Sequence, residues 1–167
     1  MEKYKKYVFN ELSKIKVVLN HQEINDIEIA DFGLGNFEEF GLGIVTYVNN
    51  DSYCAKELVM LPNQICPEHL HPRFGNYPGK KETFRVRKGI VELYVDETPF
   101  TEDSPINGLY NASKRVVLNP GDQYTIPSNT RHWFKAGIKG AIISEFSTSS
   151  YDEKDIFTNP NIKRVER

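Results

Sequence analysis

Two histidines separated by a single residue are the first feature of this chain that could do chemistry. In His69-Leu70-His71 the imidazoles are two positions apart, so on a β-strand they project from the same face while Leu70 points the other way. Imidazole nitrogens on one face can bind the same metal ion. The spacing therefore predicts two of the ligands of a metal site.

A glutamate and a third histidine further along the chain can complete such a site. Glu82 begins a run in which Phe84 and Val86 share its face, so its carboxylate would lie among apolar side chains. Burial of an unpaired carboxylate is unfavourable, and a metal ion would compensate it. His132 opens a later run of β-type residues. We therefore predict a divalent metal bound by the histidine pair, Glu82 and His132.

Each histidine also has a plainer interpretation. A single histidine on a strand is more often a hydrogen-bonded structural residue than a ligand, because imidazole packs well and metal sites are rare. His21, which follows the first predicted helix, is interpreted in this way. For the other three histidines, the spacing and the nearby glutamate favour the metal.

The predicted ligand set suits a metal with open coordination positions. Six-coordinate geometry would leave two positions free, which favours Mn²⁺, Fe²⁺, Co²⁺ or Ni²⁺ over a closed tetrahedral zinc. Such a metal can chelate a carbonyl and its α-hydroxyl, and stabilise the charge of an enediolate without a redox change. Aldose and ketose sugars carry that pair of groups, so a small, oxygen-rich substrate is expected.

Proton transfer between neighbouring carbons would also need a base on an inward face. In AIISEFST the alternation places Ile143, Glu145 and Ser147 together, which makes Glu145 the candidate base. The alternative is a carboxylate that is merely solvated at a strand end or salt-bridged.

A lysine pair precedes Glu82 and could exchange a proton with a sugar oxygen. Either Lys80 or Lys81 could do so, and Lys81 is the candidate that we name. The alternative is a solvated pair, which is the more frequent state of two lysines in a loop.

A single small domain must position these residues. The length of 167 residues and an ordinary composition, with 39% apolar and 26% charged residues, predict one domain over residues 1–167. Residues 1–20 are interpreted as an amphipathic packing helix, because apolar side chains recur there at helical spacing. These side chains are Tyr4, Val8, Leu12, Ile15 and Leu19.

Beyond the helix, Gly, Pro and Asn recur between short β-branched and aromatic runs, which predicts an all-β barrel over about residues 40–150. The predicted strands are GIVTYVN, KELVML, ICPEHLH, TFRVRK, IVELYVD, KRVVLN, DQYTIP, HWFKAG and AIISEFS. Gly89 is interpreted as a tight turn into IVELYVD. A long connection is expected from Glu97 to Ala112, and an irregular C-terminal tail over residues 151–167.

The bulk composition argues against two classes of partner. A net charge of −2 and a pI near 6.1, with Lys and Arg scattered along the chain, argue against nucleic acid. No run reaches the roughly 18 apolar residues that span a bilayer, and residues 1–20 carry charges throughout. We therefore expect no membrane partner and a cytoplasmic location, in which Cys54 and Cys66 are free thiols.

The motifs resemble those of the cupin superfamily: HxH, then a glutamate followed by six residues and Gly, then GDQYTIPSNTRH. The resemblance implies a double-stranded β-helix, a jelly-roll barrel, with His69, His71, Glu82 and His132 as metal ligands. One departure is the ten-residue gap before Glu82, whose insertion PRFGNYPGKK is expected to form a loop at the barrel mouth. The other is Asn129 in place of the usual Gly, and Asn tolerates the left-handed conformation.

Longer runs narrow the resemblance. LPNQICPEHLHP, GKKETFRVRKG, SEFST, IADFGLGNFEEFGLGIVTYVN and YCAKELVML are similar to the D-lyxose isomerase family of cupins, over most of the chain. The resemblance implies a Mn²⁺-dependent isomerase of D-lyxose and D-xylulose, with D-mannose and D-fructose as a second pair. It also implies a homodimer. Fe²⁺, Co²⁺, Ni²⁺ and Zn²⁺ are the alternative metals.

Two other classes of function stay open on the sequence alone. An Fe²⁺-dependent cupin oxygenase could use the same ligands, but would need a site for O₂ and an oxidisable substrate. A non-catalytic sugar-binding barrel would not need the full ligand set. Glu145 is the feature that favours the isomerase over both.

Overall fold

The computed structural model of the chain describes residues 1–101, 104 and 106–164. Two helices come first, α1 (Glu2–Lys14) and α2 (His21–Asn25). The strands are β1 (Glu28–Ala30), β2 (Leu42–Asn49), β3 (Cys54–Met60), β4 (Ile65–Leu70), β5 (Glu82–Val95), β6 (Lys114–Leu118), β7 (Gln123–Ile126), β8 (His132–Ser147) and β9 (Ile156–Phe157). The predicted connection after Glu97 and the predicted tail each extend partly outside the described residues.

The N-terminal helix packs on the outside of the sheet, as its apolar stripe predicts. Val8 and Leu12 are fully buried, and they form a cluster with apolar residues of β2, β3 and β8. These sheet residues are Val45, Val59 and Ile142. The helix ends at Lys14, earlier than expected, because Lys16 takes a left-handed conformation with a φ of 65°.

Two long antiparallel strands form the spine of the barrel. β8 pairs with β3, β4 and β5, while β5 also pairs with β6 and β7. The ladder between β5 and β8 runs from Glu82 opposite Ser147 to Val95 opposite His132. A flat ladder of this length would separate Glu82 from His132 by about 40 Å. Their side chains are instead in contact, at 2.9 Å, because the sheet rolls up on itself.

Glycines at the middle of the spine allow the sheet to bend. The ladder between β5 and β8 is irregular on either side of Gly89, where both Gly89 and Gly140 have positive φ angles, of 77° and 73°. The predicted tight turn at Gly89 is therefore wrong: TFRVRK and IVELYVD are two halves of one bent strand, β5. HWFKAG and AIISEFS likewise join into β8, since a bulge continues the strand instead of ending it.

The interior of the barrel is apolar over most of its volume. Its large side chains include Leu58, Phe84, Leu93, Phe134 and Ile143, all buried. Cys54 and Cys66 are buried and free. Within the described residues, no helix has the length and apolar character that crossing a membrane requires. The all-β barrel with an N-terminal helix is confirmed, and polar residues gather at one end of its interior.

Candidate metal centre

Three histidines converge inside the barrel. His69 lies near the end of β4, His71 directly follows that strand, and His132 is the first residue of β8. Their ring centroids are 4.2 to 5.3 Å apart, and one potential ligand nitrogen from each lies within 4.8 Å of the others. All three are buried, whereas His21 is exposed at the start of α2. The cluster is one that can hold a metal ion.

The carboxylate of Glu82 lies against this cluster. Its Oε1 is 2.9 Å from Nε2 of His132 and 3.3 Å from Nε2 of His71. These three atoms are buried and have no hydrogen-bond partner among the described residues. Ligands bonded to one metal at about 2.1 Å and at right angles are about 3 Å apart, so the spacing suits a shared ion. The residues present therefore fit a divalent metal.

The other ring nitrogens already have acceptors, which fixes the orientation of each imidazole. Nδ1 of His69 lies 2.8 Å from the carbonyl oxygen of Pro67, and Nδ1 of His132 lies 3.0 Å from that of Thr130. Nδ1 of His71 lies 2.5 Å from Oδ1 of Asp155. Since carbonyl and carboxylate oxygens only accept, each Nδ1 carries a proton, and Nε2 is the nitrogen that faces the metal site.

The electrostatics of the histidines differ. Burial and the neighbouring imidazoles hold the pKa of His69 well below its usual value, so this ring is neutral and ready to bind. Burial also disfavours the charged form of His71, but the carboxylates of Asp155 and Glu82 outweigh it and raise its pKa to about 9. A metal ion bound at Nε2 of His71 would therefore have to displace a proton.

Glu145 and Lys80 form an ion-paired chain beside the histidines. Nζ of Lys80 lies 2.8 Å from Oε2 of Glu82 and 2.6 Å from Oε1 of Glu145, and all three side chains are buried. Burial alone would lower the pKa of Lys80, but the two carboxylates raise it well above its usual value. In Glu82, burial opposes ionisation, but Lys80 and His71 hold its pKa well below the usual range. Lys80 therefore bridges the two carboxylates through its single ammonium group.

The structure does not bring the side chain of Lys81 into this group. Lys81 is exposed, and its backbone N–H donates to Oγ1 of Thr148. The neighbouring Lys80 points inward instead, because it shares the face of Glu82 in an extended chain. The two-residue spacing from Lys80 to Glu82 was the sequence signal that could have selected it.

The ten-residue insertion does not separate the ligands. It folds back as a short hairpin with a bridge between Phe74 and Tyr77, whose hydroxyl donates to the carbonyl of Ser149. Gly79, with a φ of 93°, passes so close to His71 that a Cβ would lie 2.6 Å from its carbonyl oxygen. The loop thereby returns the chain to Glu82. Asn129 does adopt the expected left-handed conformation, with a φ of 57°.

A small cavity of about 40 Å³ lies beside the metal centre. Its polar lining includes groups that were not anticipated, because they come from β3 and from the C-terminal segment. They are Lys56, Asp152, Asp155 and Arg164. No local pattern marks these residues, since each reaches the site through contacts that are distant in sequence.

Comparison with known proteins gives close relatives over most of the chain. It is 55% identical over 161 residues to a D-lyxose ketol-isomerase of Thermofilum sp. (strain ex4484_79), an alignment that covers 92% of this chain and 88% of the relative. It is 52% identical over 163 residues to a D-lyxose/D-mannose isomerase of Thermosediminibacter oceani, covering 95% and 90%. No family model matches the chain.

The fold is shared with more distant proteins of known structure. The L-ribose isomerase of Acinetobacter sp. DL28, solved in complex with L-ribose, superposes with a TM-score of 0.81 at 15% sequence identity. The superposition covers 96% of this chain and 92% of that protein. At this identity the likeness establishes the barrel fold alone.

Proposed function

The chain belongs to the D-lyxose ketol-isomerase family, and we propose that it interconverts D-lyxose and D-xylulose by metal-dependent proton transfer. D-mannose and D-fructose are the second proposed pair, in line with the name of the Thermosediminibacter relative. The reaction moves one hydrogen between C1 and C2 and exchanges the positions of a carbonyl and a hydroxyl.

One observation carries the proposal: a buried carboxylate that is not needed as a ligand, Glu145, lies beside the candidate metal centre. Lys80 links it to Glu82 through contacts of 2.6 and 2.8 Å. A protein that only bound a metal and a sugar would have no use for this row of three buried, ion-paired side chains. Proton transfer requires groups of this kind.

The proposed ligands are His69, His71, Glu82 and His132, and the proposed metal is Mn²⁺. A site with nitrogen and carboxylate ligands that leaves coordination positions free also suits Fe²⁺, Co²⁺ and Ni²⁺, and Zn²⁺ is a further alternative. The metal would supply a positive charge that stabilises negative charge on two adjacent sugar oxygens.

The residues around the metal centre would move the protons. Glu145 would take the proton from C2 of the aldose and return it to C1 on the same face. The ammonium of Lys80 would donate a proton to O1 as the enediol forms and recover one from O2. Atoms and charges balance over the cycle, because each proton removed is returned to the sugar. Lys81, which is exposed, is assigned no proton transfer in this proposal.

We also propose that the enzyme acts as a homodimer in the cytoplasm. The resemblance to the family supports the dimer, and the two free cysteines are consistent with a reducing compartment. Light scattering coupled to size-exclusion chromatography would measure the mass of the assembly; a monomer would contradict the proposal.

The function is tested by treating the protein with EDTA and assaying it against a panel of pentoses and hexoses. We expect D-xylulose from D-lyxose, and D-fructose from D-mannose, only after Mn²⁺ is restored. If no aldose yields a ketose with any of the five metals, the isomerase is ruled out.

A matched pair of variants tests the base. Glu145→Gln should lower kcat by about 10²- to 10⁴-fold, the usual contribution of a general base, while the protein still binds Mn²⁺. Glu92→Gln is the control, because Glu92 pairs with Arg115 on the outer face of β5, opposite the face on which Val91 and Leu93 are buried in the barrel. Full activity of Glu145→Gln would exclude Glu145 as the base, but it would not exclude the proposed isomerisation.

A further inference from the structure

The three histidines are oriented by partners of two different kinds. His69 and His132 each bond a backbone carbonyl two residues earlier in the chain, those of Pro67 and Thr130. These partners are local, so they are in place whenever the strands are formed. His71 instead depends on Asp155, which is 84 residues away in the sequence. Its orientation therefore depends on where the C-terminal segment lies.

The C-terminal segment, which we define as residues 151–164, is docked beside the metal centre. Its strand β9 extends the sheet by pairing with β4, with Phe157 opposite His69. Thr158 adds two hydrogen bonds to Glu68, through its backbone N–H and its hydroxyl. These contacts hold the segment in the register that brings Asp155 to His71.

Further contacts fix the segment on both sides of Asp155. Asp152 pairs with Lys56 of β3 at 2.8 Å, and Arg164 pairs with Glu28 of β1 at 2.8 Å. The side chain of Asp155 is only 8% exposed, so its bond to His71 is shielded from water. The C-terminal segment therefore forms part of the wall of the metal site, and the carboxylate of Asp155 lines that wall.

We infer that Asp155 is a positioning residue for the metal, acting through His71, and that docking of the C-terminal segment and metal binding stabilise each other. The inference rests on the metal site proposed above. Asp155 accepts from Nδ1–H of His71, which directs Nε2 towards the metal site and opposes rotation of the ring. Without it, His71 must be ordered by the metal itself, and affinity falls.

The reciprocal effect follows from linkage. If the docked segment increases the affinity for the metal, the metal must favour the docked segment by the same factor. Residues 151–164 should therefore exchange their amide hydrogens more slowly when the metal is bound.

The first test measures the affinity of the EDTA-treated protein for Mn²⁺ by competition with a chromophoric chelator. Asp155→Ala should bind Mn²⁺ about 10- to 100-fold more weakly than the wild type. Asp155→Asn should lie between them, since its amide oxygen still accepts from Nδ1–H without a charge. Glu153→Gln is the control, an exposed carboxylate of the same segment, and should bind as the wild type does.

The second test follows hydrogen exchange in peptides from residues 151–164, with and without Mn²⁺. Mn²⁺ should slow exchange in the wild type and in Glu153→Gln, and should have little effect in Asp155→Ala. If Asp155→Ala does not fold, Asp155→Asn is compared in both tests.

The outcomes separate this inference from the proposed function. Equal Mn²⁺ affinity of the wild type and the Asp155 variants would overturn the positioning role and leave the isomerase intact. If Mn²⁺ does not change the rate of amide hydrogen exchange in residues 151–164, the coupling is overturned. A wild-type protein that binds no Mn²⁺ or other divalent ion would overturn the metal site itself.

Discussion

Adjacent lysines in this chain have opposite environments. Lys80 is buried between the carboxylates of Glu82 and Glu145, which keep it protonated. Lys81 is exposed to water on the other face of the same extended segment. A buried ammonium between two carboxylates also holds their positions, so its removal would leave both charges uncompensated.

The pair therefore offers an internally matched experiment. Lys80→Met should lower kcat by about 10²-fold or more, because it removes both the proposed proton donor and the ion-pair partner of Glu145. Lys81→Met should leave kcat within about two-fold of the wild type, since surface substitutions of this kind change little. Steady-state assays with circular dichroism as a check on folding would compare them. Loss of activity in Lys81→Met alone would reverse the assignment.

Residue types and spacing predicted much of this site, and the reason is the two-residue period of strands. The histidine pair, Glu82 and Glu145 were assigned to inward faces by alternation, and the structure brings them together. The same period predicts that Lys80, and not Lys81, points inward beside Glu82. Both lysines belong to the insertion, however, which the sequence predicts to be a loop, and alternation does not apply in a loop. Asp155 had no such signal, because its contact with His71 depends on how the whole C-terminal segment docks.

At the scale of elements, the bend in the spine is what creates the site. Glu82 and His132 lie at opposite ends of the ladder between β5 and β8, and they meet only because the ladder rolls up around Gly89 and Gly140. Sequence alternation located the strands on either side of each glycine. It could not distinguish a hairpin from a bulge, because both need a residue with positive φ and differ only in long-range pairing.

Substitution of Gly89 should therefore lower the free energy of unfolding more than substitution of another glycine with positive φ. A Cβ at Gly89 would lie 2.0 Å from the carbonyl oxygen of Gly140, whereas one at Gly75 would have nothing within 4 Å. Gly75→Ala should cost about 1–2 kcal/mol, the penalty of the left-handed conformation. Gly89→Ala should cost more than about 4 kcal/mol or prevent folding. Urea denaturation would measure both, and equal values would contradict the role of Gly89.

On the scale of the whole molecule, the metal centre joins segments that are far apart in the chain. Its proposed ligands come from the end of β4, from the start of β5 and from the start of β8, and Asp155 adds the C-terminal segment. The unfolded chain does not hold these groups together. A metal that binds only the assembled site must therefore stabilise the entire fold, and the size of that effect reports the affinity.

Thermal unfolding with and without Mn²⁺ measures this coupling independently of any activity. At a free Mn²⁺ concentration of about 100 times its Kd, the gain is about 2.7 kcal/mol. For a chain of this length that corresponds to a rise in Tm of about 5–10 °C, at about 2–4 °C per kcal/mol. His132→Ala should lose most of the rise, because it removes a buried, proposed ligand whose Nε2 faces Glu82. His21→Ala should retain it, since His21 is exposed on α2 and outside the cluster. Comparable rises in Tm for both variants would show that Mn²⁺ acts elsewhere on the protein. The same measurement with several divalent ions at equal concentration would rank their affinities for the histidine cluster.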